Sequence, residues 1–381
     1  MDEIDFLPNT VFSSIKLLTH KRVTKTPDLE KVYPVTLELG PSGRCNNHCN
    51  FCMHGKYYNN GVDMPFQLYK KLIDEVSSYE PDKQTRGMIF SSSGEPALNP
   101  RIIDFIHYTK RNGIDVAVIS NGSALGRSGL IETIVKDATW TRISLNAGTP
   151  KTRAKIHRVN IKDYSRVMGN LSGLSKKKRE IGSECNIGAQ IVVTEENYAE
   201  IESACRDVKN TEIDYFQIKP VVFHPLDGRK QLCKDFWEEV LKNSEKIKNK
   251  YEDEKFKVFV KYDQFSAIMK PDYDKSAYNK CRALFFPIIE ADGKVYHCSQ
   301  TRGIGSLELG DLTKQTFKEI WESEKRNEII KNIDIDKCQP VCRCHANNKL
   351  LTHIVDEGYT PDLKQRTSDL IAKGGYSASF V

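Results

Sequence analysis

The chain has 381 residues and a mass of 43.5 kDa, enough for two or three domains and a sizeable core. Its 39% hydrophobic and 28% charged residues exclude wholesale disorder, and a net charge of +6 is too small to argue for nucleic acid. No apolar run approaches a membrane span, and the acidic start MDEIDFLPNT is not a secretory signal, so a cytoplasmic chain with reduced thiols is expected.

Residues 1–32 show weak periodicity and read as an arm with one short helix. From residue 33 strands and helices alternate. VTLELG (35–40) alternates and ends in Gly, as a strand does, and Leu68, Leu72, Ile73 and Val76 share one face of a helix over 65–80. A strand at 87–93 and a helix at 100–113 closed by Gly113 come next, then a strand at 115–121, a helix at 128–138 and a strand at 140–147. A helix at 163–181, a strand at 186–194, a helix at 198–210 and a strand at 215–222 complete six strands and five helices. Regular βα alternation implies a parallel sheet covered by helices, either an open doubly wound sheet or a partial barrel. The basic run Lys176–Arg179 falls late in its helix and reads as a solvated end that complements the macrodipole.

After the turn-rich stretch 224–230 comes a charged amphipathic helix at 231–251 and a strand at 257–265. FFPIIEADGKVYHCS then reads as a hairpin turning at Ala291-Asp292-Gly293, and the Gly/Ser-rich end of a partly helical tail is expected to fray. The expected organisation is an arm (1–32), a barrel (33–224), a connecting helix and strand (225–270), a cysteine-rich unit (271–345) and a tail (346–381).

Eleven cysteines in a reducing compartment point to metal or catalysis rather than disulfides. Cys45, Cys49 and Cys52 follow the first strand in a Cys-x3-Cys-x2-Cys pattern; Cys281, Cys298, Cys338, Cys342 and Cys344 form a second group. Three close thiols without a fourth partner suit an iron–sulfur cluster with one iron left open, and a zinc knuckle is the competing reading. Cys185, Cys205 and Cys233 are scattered and read as core filler.

This loop, with the aromatic Phe51 just before the third cysteine, resembles the radical S-adenosylmethionine (radical SAM) enzymes. The resemblance implies a partial (βα)6 TIM-like barrel and a [4Fe–4S] cluster on Cys45, Cys49 and Cys52 whose open iron binds SAM. It further implies that SAM is cleaved to a 5′-deoxyadenosyl radical that abstracts hydrogen from substrate. Ser93-Gly94-Glu95-Pro96 resembles the family's Gly-Gly-Glu-Pro segment, with Ser93 in place of the first Gly. Ser120 and Asn121 after the third strand, and Ser144 and Asn146 on the fourth, resemble positions that meet SAM. Among Arg153, His157 and Arg158, the family's Lys-Ile-His-Arg-like stretch implies Arg158 as the partner of the SAM carboxylate. Gln190 and Lys219 are expected at one barrel end, with Lys219 a candidate substrate anchor.

The second cysteine group resembles the SPASM or shorter twitch extension, an α+β unit that follows the barrel in many members. That resemblance implies one auxiliary [4Fe–4S] cluster on Cys281, Cys298, Cys338 and Cys342, and it covers Leu309-Gly310-Asp311-Leu312 and Phe317-Lys318-Glu319-Ile320-Trp321. Cys344 is left as a replacement for Cys342, a hydrogen-atom donor or neither, and a structural zinc is the competing occupant. The expected activity is oxidation (dehydrogenation) or epimerisation of a small metabolite such as a sugar, nucleotide-sugar or aminocyclitol, with a flavodoxin- or ferredoxin-like electron donor. A maturase of a ribosomally made peptide, disfavoured by the 44 residues before Cys45, and a non-catalytic zinc-dependent binding module are the alternatives.

Overall fold

The computed structural model describes residues 14–25, 29–52, 60–91, 93–223, 229–230, 232–269, 278–282, 286–299, 301–338, 342, 344–373 and 380. Alternation along the strands decides the architecture. Leu37, Leu39, Met88, Phe90, Val116, Val118, Ile143, Ile191 and Ile218 are buried on one face of the sheet. Residues of the opposite parity, among them Glu38, Ile119, Arg142, Ser144, Gln190 and Lys219, line a common cavity.

Strands β1 (Thr36–Leu39), β2 (Gly87–Phe90), β3 (Asp115–Ser120), β4 (Ala138–Ser144), β5 (Asn186–Val193) and β6 (Tyr215–Pro220) run parallel in sequential order. Helices α1 (Phe66–Ser78), α2 (Ile102–Arg111), α3 (Leu130–Asp137), α4 (Pro150–His157), α5 (Asp163–Ile181) and α6 (Ile201–Lys209) connect them. α1 buries Tyr69, Leu72, Ile73 and Val76 along one stripe, and Tyr69 stacks on Phe105 of α2 at 4.1 Å. Each such aliphatic side chain contributes about 1.5–3 kcal/mol by leaving water. The result is a partial βα barrel. The Lys176–Arg179 run ends α5 in ion pairs, Lys178 with Asp214 at 2.6 Å and Arg179 with Glu212 at 2.7 Å.

The barrel has a seventh parallel strand. The segment expected to connect two units carries α7 (Lys234–Tyr251) and then β7 (Lys257–Val260), which pairs with β6 in register Tyr215↔Lys257. The strand expected to reach residue 265 stops at Val260. Beyond it Phe265, Ile268 and Met269 recur at helical spacing, and Tyr262–Met269 is a helix, α8, whose Phe265 packs edge-on against Trp237 at 5.7 Å.

The cysteine-rich extension continues the same sheet. β8 (Ile288–Ile289) pairs in parallel with the free edge of β1, and β9 (Lys294–Tyr296) and β10 (Glu308–Asp311) follow antiparallel. The predicted hairpin turns at Gly293, whose φ of 87° favours glycine. The connector 317–321 is α9 (Phe317–Trp321), and both Glu75 oxygens on α1 accept from its first amides, Phe317 N at 2.9 Å and Lys318 N at 2.7 Å. α10 (Glu324–Lys331), α11 (His345–Glu357) and α12 (Pro361–Lys373) complete the helices of eight residues or more among the described residues. The arm's turn at Ser14–Thr19 packs on α11 and α12, and Phe380 is buried edge-on against Trp140 at 5.7 Å. The glycine- and serine-rich stretch 374–379 lies outside the described residues.

Candidate active site

The loops after the parallel strands converge on a cavity of about 430 Å³. Its wall holds Cys45, Cys49, Phe51 and Cys52 from the β1 loop, Gly94 and Glu95 after β2, Ser120 and Asn121 at the end of β3, and Ser144 and Asn146 at the end of β4. Gln190 and Lys219 face it from β5 and β6. Sequence reasoning had named all of these.

The β1 loop is fixed from two sides. His48 N and Asn50 N donate to the carbonyls of His157 and Ile156, each at 2.9 Å, which straps the loop to the end of α4. On the other side Glu95 N donates to Arg44 O at 2.7 Å. Gly94 permits that approach: a Cβ there would meet Ser42 O at 2.1 Å and Arg44 O at 2.6 Å.

Glu95 is 2% exposed and organises the strand ends. Its Oε1 accepts from Ser120 Oγ at 2.7 Å and Ala97 N at 3.0 Å, and Oε2 from Asn121 N at 2.7 Å. Burial raises its pKa, and these three donors and Arg153 oppose the shift. Asn121 Nδ2 donates to Asn46 Oδ1 at 2.7 Å. Asn146 adopts a φ of 55° and accepts from Val192 N at 2.9 Å.

Arg158 differs from expectation. It follows α4 as its C-cap in the left-handed region (φ 52°), is exposed, and is absent from the cavity's lining. Arg153, one turn earlier and fully buried, is held by Asp163 at 2.8 Å and donates to the carbonyls of Leu145 at 2.8 Å and Asn121 at 2.9 Å. It thus ties the ends of β3 and β4 together and is itself committed. His157 is the member of the trio that lines the cavity: its Nδ1 lies 3.1 Å from Cys49 Sγ and 2.9 Å from Asn47 Nδ2. Burial, then the charge of Arg153, holds the His157 pKa well below the usual range.

Sequence reading missed Arg142, Ser299 and Arg302 in the cavity wall. Arg302 comes from the extension, 6% exposed, with Nη2 at 2.8 Å from Glu38 and Nε at 3.1 Å from Glu290. The second contact is an ion pair without hydrogen-bond alignment, because Nε has no hydrogen-bond partner among the described residues. Glu290 in turn accepts from Ser93 Oγ at 3.1 Å, so the extension reaches the loop beside Gly94. The readable signal was Glu38, a carboxylate of inward parity between Leu37 and Leu39.

In the second cysteine group, the thiols of Cys342, Cys281 and Cys338 lie close enough to Tyr278 to oppose its ionisation, after burial has done most of it. Tyr278 Oη and His345 Nδ1 are 2.9 Å apart, and Cys344 N lies 3.4 Å from Cys342 Sγ. Cys298 lies two residues past the end of β9. Cys344 is the N-cap of α11 and is buried in the apolar core.

Three thiols on one loop are a donor set that fits an iron–sulfur cluster. Burial, with Glu95 and Cys52 adding and hydrogen bonds from Asn47 and Asn121 opposing, pushes the Cys45 thiol up to about 11, and burial with Cys52 and Cys45 adding and Arg153 opposing pushes the Cys49 thiol higher. Thiols held in that state release their protons when a metal cation arrives. Among the described residues no three Cys, His, Asp or Glu side chains already converge on one ion position.

Comparison with known proteins decides the family: residues 39–208 match the radical SAM superfamily and residues 274–345 the SPASM iron–sulfur cluster-binding domain. The chain carries a radical SAM domain followed by a SPASM domain. Its cofactors are SAM and a [4Fe–4S] cluster, with auxiliary iron–sulfur binding in the SPASM extension. A relative from Pyrococcus furiosus, a tungsten-containing aldehyde ferredoxin oxidoreductase cofactor-modifying protein, is 21% identical over 309 residues, 76% of this chain and 81% of that one. Among solved structures, SuiB of Streptococcus suis bound to S-adenosylmethionine superposes with a TM-score of 0.61 at 16% identity, over 83% of this chain and 74% of that one. The anSMEcpe enzyme with bound AdoMet gives 0.58 at 16% identity, over 89% and 97%. At that identity the two structures speak for the fold of this radical SAM enzyme. No helix among its described residues is long and apolar enough to cross a membrane.

Proposed function

We propose that this radical SAM enzyme oxidises a small polar metabolite by removing hydrogen, with Cys45, Cys49 and Cys52 holding the SAM-binding cluster. When bound, cluster and SAM supply a 5′-deoxyadenosyl radical that abstracts a hydrogen atom. Phe51, Gly94, Glu95, Ser120, Asn121, Ser144 and Asn146 form the SAM pocket, a role supported by their common presence in the wall that carries the three thiols. Arg142, Gln190, Lys219 and Arg302 hold and orient the substrate, with Lys219 supplying a positive charge. Cys281, Cys298, Cys338 and Cys342 ligate one auxiliary [4Fe–4S] cluster; the burial of Cys344 in the apolar core supports leaving it out.

The observation that carries oxidation over epimerisation is the placement of the other thiols. Epimerisation needs a hydrogen donor at the substrate, and Cys185, Cys205, Cys233 and Cys344 are all absent from the cavity's lining. Cys185 and Cys205 are buried in the core, and Cys233 is exposed ahead of α7. An auxiliary cluster held by Cys281, Cys298, Cys338 and Cys342 would serve as acceptor for the electron left on the substrate, whose proton would pass to solvent. A cytoplasmic setting and a flavodoxin- or ferredoxin-like donor complete the reading.

Peptide maturation is the second reading. It is supported by the fold shared with SuiB, solved with precursor peptide SuiA, and with anSMEcpe, solved with a Cp18Cys peptide.

Protein purified without oxygen should contain about eight atoms each of iron and sulfide, two cubanes' worth. With candidate metabolites deuterated at carbon, the label should enter 5′-deoxyadenosine and product should be two electrons more oxidised. Deuterium uptake from solvent into an unoxidised product would replace oxidation by epimerisation, and turnover with peptides alone would favour maturation.

A further inference from the structure

His157 closes α4 against the β1 loop, and its ring is 1% exposed. Nδ1 is 3.1 Å from Cys49 Sγ, within hydrogen-bonding reach of sulfur, and the Phe51 ring stands edge-on at 6.2 Å. The backbone on both sides is pinned, since the His157 and Ile156 carbonyls hold His48 N and Asn50 N. The ring therefore has little freedom to leave Cys49.

A sulfur that carries iron has no proton and only accepts hydrogen bonds. At 3.1 Å a ring lone pair facing it would be repelled, so the contact survives with the hydrogen on Nδ1. Asn47 Nδ2 lies 2.9 Å from Nδ1, while its Oδ1 has no hydrogen-bond partner among the described residues; exchanging the two amide atoms, which have the same outline, turns the oxygen toward Nδ1–H as a second acceptor.

We propose that His157 donates a hydrogen bond from Nδ1 to the Cys49 sulfur when that sulfur carries iron, and so raises the reduction potential of the amino-terminal cluster. His157 is a positioning residue that acts through Cys49. The physical reason is that a donor at sulfur draws electron density from it and stabilises the reduced, more negative cluster. The inference rests on the proposed role of Cys49, and it concerns ease of reduction rather than which substrate is used.

The test is a potentiometric titration of the reconstituted holoenzyme followed by electron paramagnetic resonance, without SAM or substrate. The amino-terminal cluster is the one whose signal changes when SAM is added afterwards. His157→Leu keeps the bulk and removes the donor; its reduction equilibrium should fall about tenfold, or about 59 mV for one electron. His157→Gln, which restores an N–H, should recover most of the shift, while the auxiliary cluster's midpoint stays put in both. An unchanged midpoint in iron-replete His157→Leu overturns the proposal and leaves the assignment of Cys49 standing. Should His157→Leu not load iron, Asn47→Ala is read instead: with the competing acceptor gone Nδ1–H bonds Cys49 alone, so a rise in the midpoint supports the hydrogen bond, and no rise overturns it.

Discussion

Arg153 and Asp163 form a fully desolvated ion pair beneath the cavity, with 0% and 3% of their side chains exposed. Removing Arg153 leaves the buried Asp163 carboxylate with only the exposed Arg166 at 3.2 Å and the Ser123 hydroxyl at 2.9 Å, and loss of a buried partner costs roughly 3–5 kcal/mol. Arg153→Met should lower stability by about that much in chemical denaturation, whereas Arg158→Met should change it by under about 0.5 kcal/mol, because Arg158 is exposed. A larger loss for Arg158 would contradict the assignment of roles. Lys16 offers a pH test. Burial, then the nearby charge of Lys261, lowers its pKa to about 8 from 10.5. Between those values the unfolded chain keeps a proton that the folded chain has lost, so stability should rise with pH across that window. Below about 8 the folded lysine is charged and its burial penalty is present in full. Lys16→Met should be more stable than wild type at neutral pH and should flatten that rise; an unchanged slope would assign it to other groups. At this scale the sequence disclosed the thiols, Glu95 and the polar strand ends, because each is local. Its choice of Arg158 falls outside the cavity wall, and the left-handed φ of Arg158 just past α4 is a property of the helix end that residue type alone does not disclose.

The strand-end loops act as elements through close backbone contact. Gly94→Ala would force a methyl group to within 2.1 Å of Ser42 O and 2.6 Å of Arg44 O, so the β1 and β2 loops must separate. The expected result is a stability loss of about 1–3 kcal/mol and weaker SAM binding by isothermal titration, with both losses appearing together. Unchanged SAM affinity would mean that the loops' approach is incidental. Strands and helices of the barrel were legible because their periods of 2 and 3.6 persist for several residues. β7 was legible as a strand but not as a barrel member, since its partner is chosen by the sheet edge that β6 leaves open. The overrun to residue 265 arose because Lys261-Tyr262-Asp263 carries no glycine or proline to mark the break.

For the whole molecule, the extension is part of the sheet. β8 covers the edge of β1, Arg302 binds Glu38 at 2.8 Å, and Trp321 Nε1 donates to Val32 O at 3.1 Å. A chain cut after residue 269 would expose the β1 edge together with the apolar contacts of α9, and it should be recovered as aggregate rather than as a monomer by size-exclusion chromatography. A monomeric, cooperatively melting barrel would show that the extension is an independent domain. Sequence order suggested that independence, because the contacts joining the two parts lie 197 to 289 residues apart along the chain.

The most direct measurement replaces Cys45, Cys49 and Cys52 together by Ala and follows anaerobic cleavage of SAM under strong reductant. Iron should fall from about eight to about four atoms per chain, and 5′-deoxyadenosine formation should drop to the background without enzyme. Continued nucleoside release at the wild-type rate would contradict the assignment of these three thiols to the SAM-binding cluster.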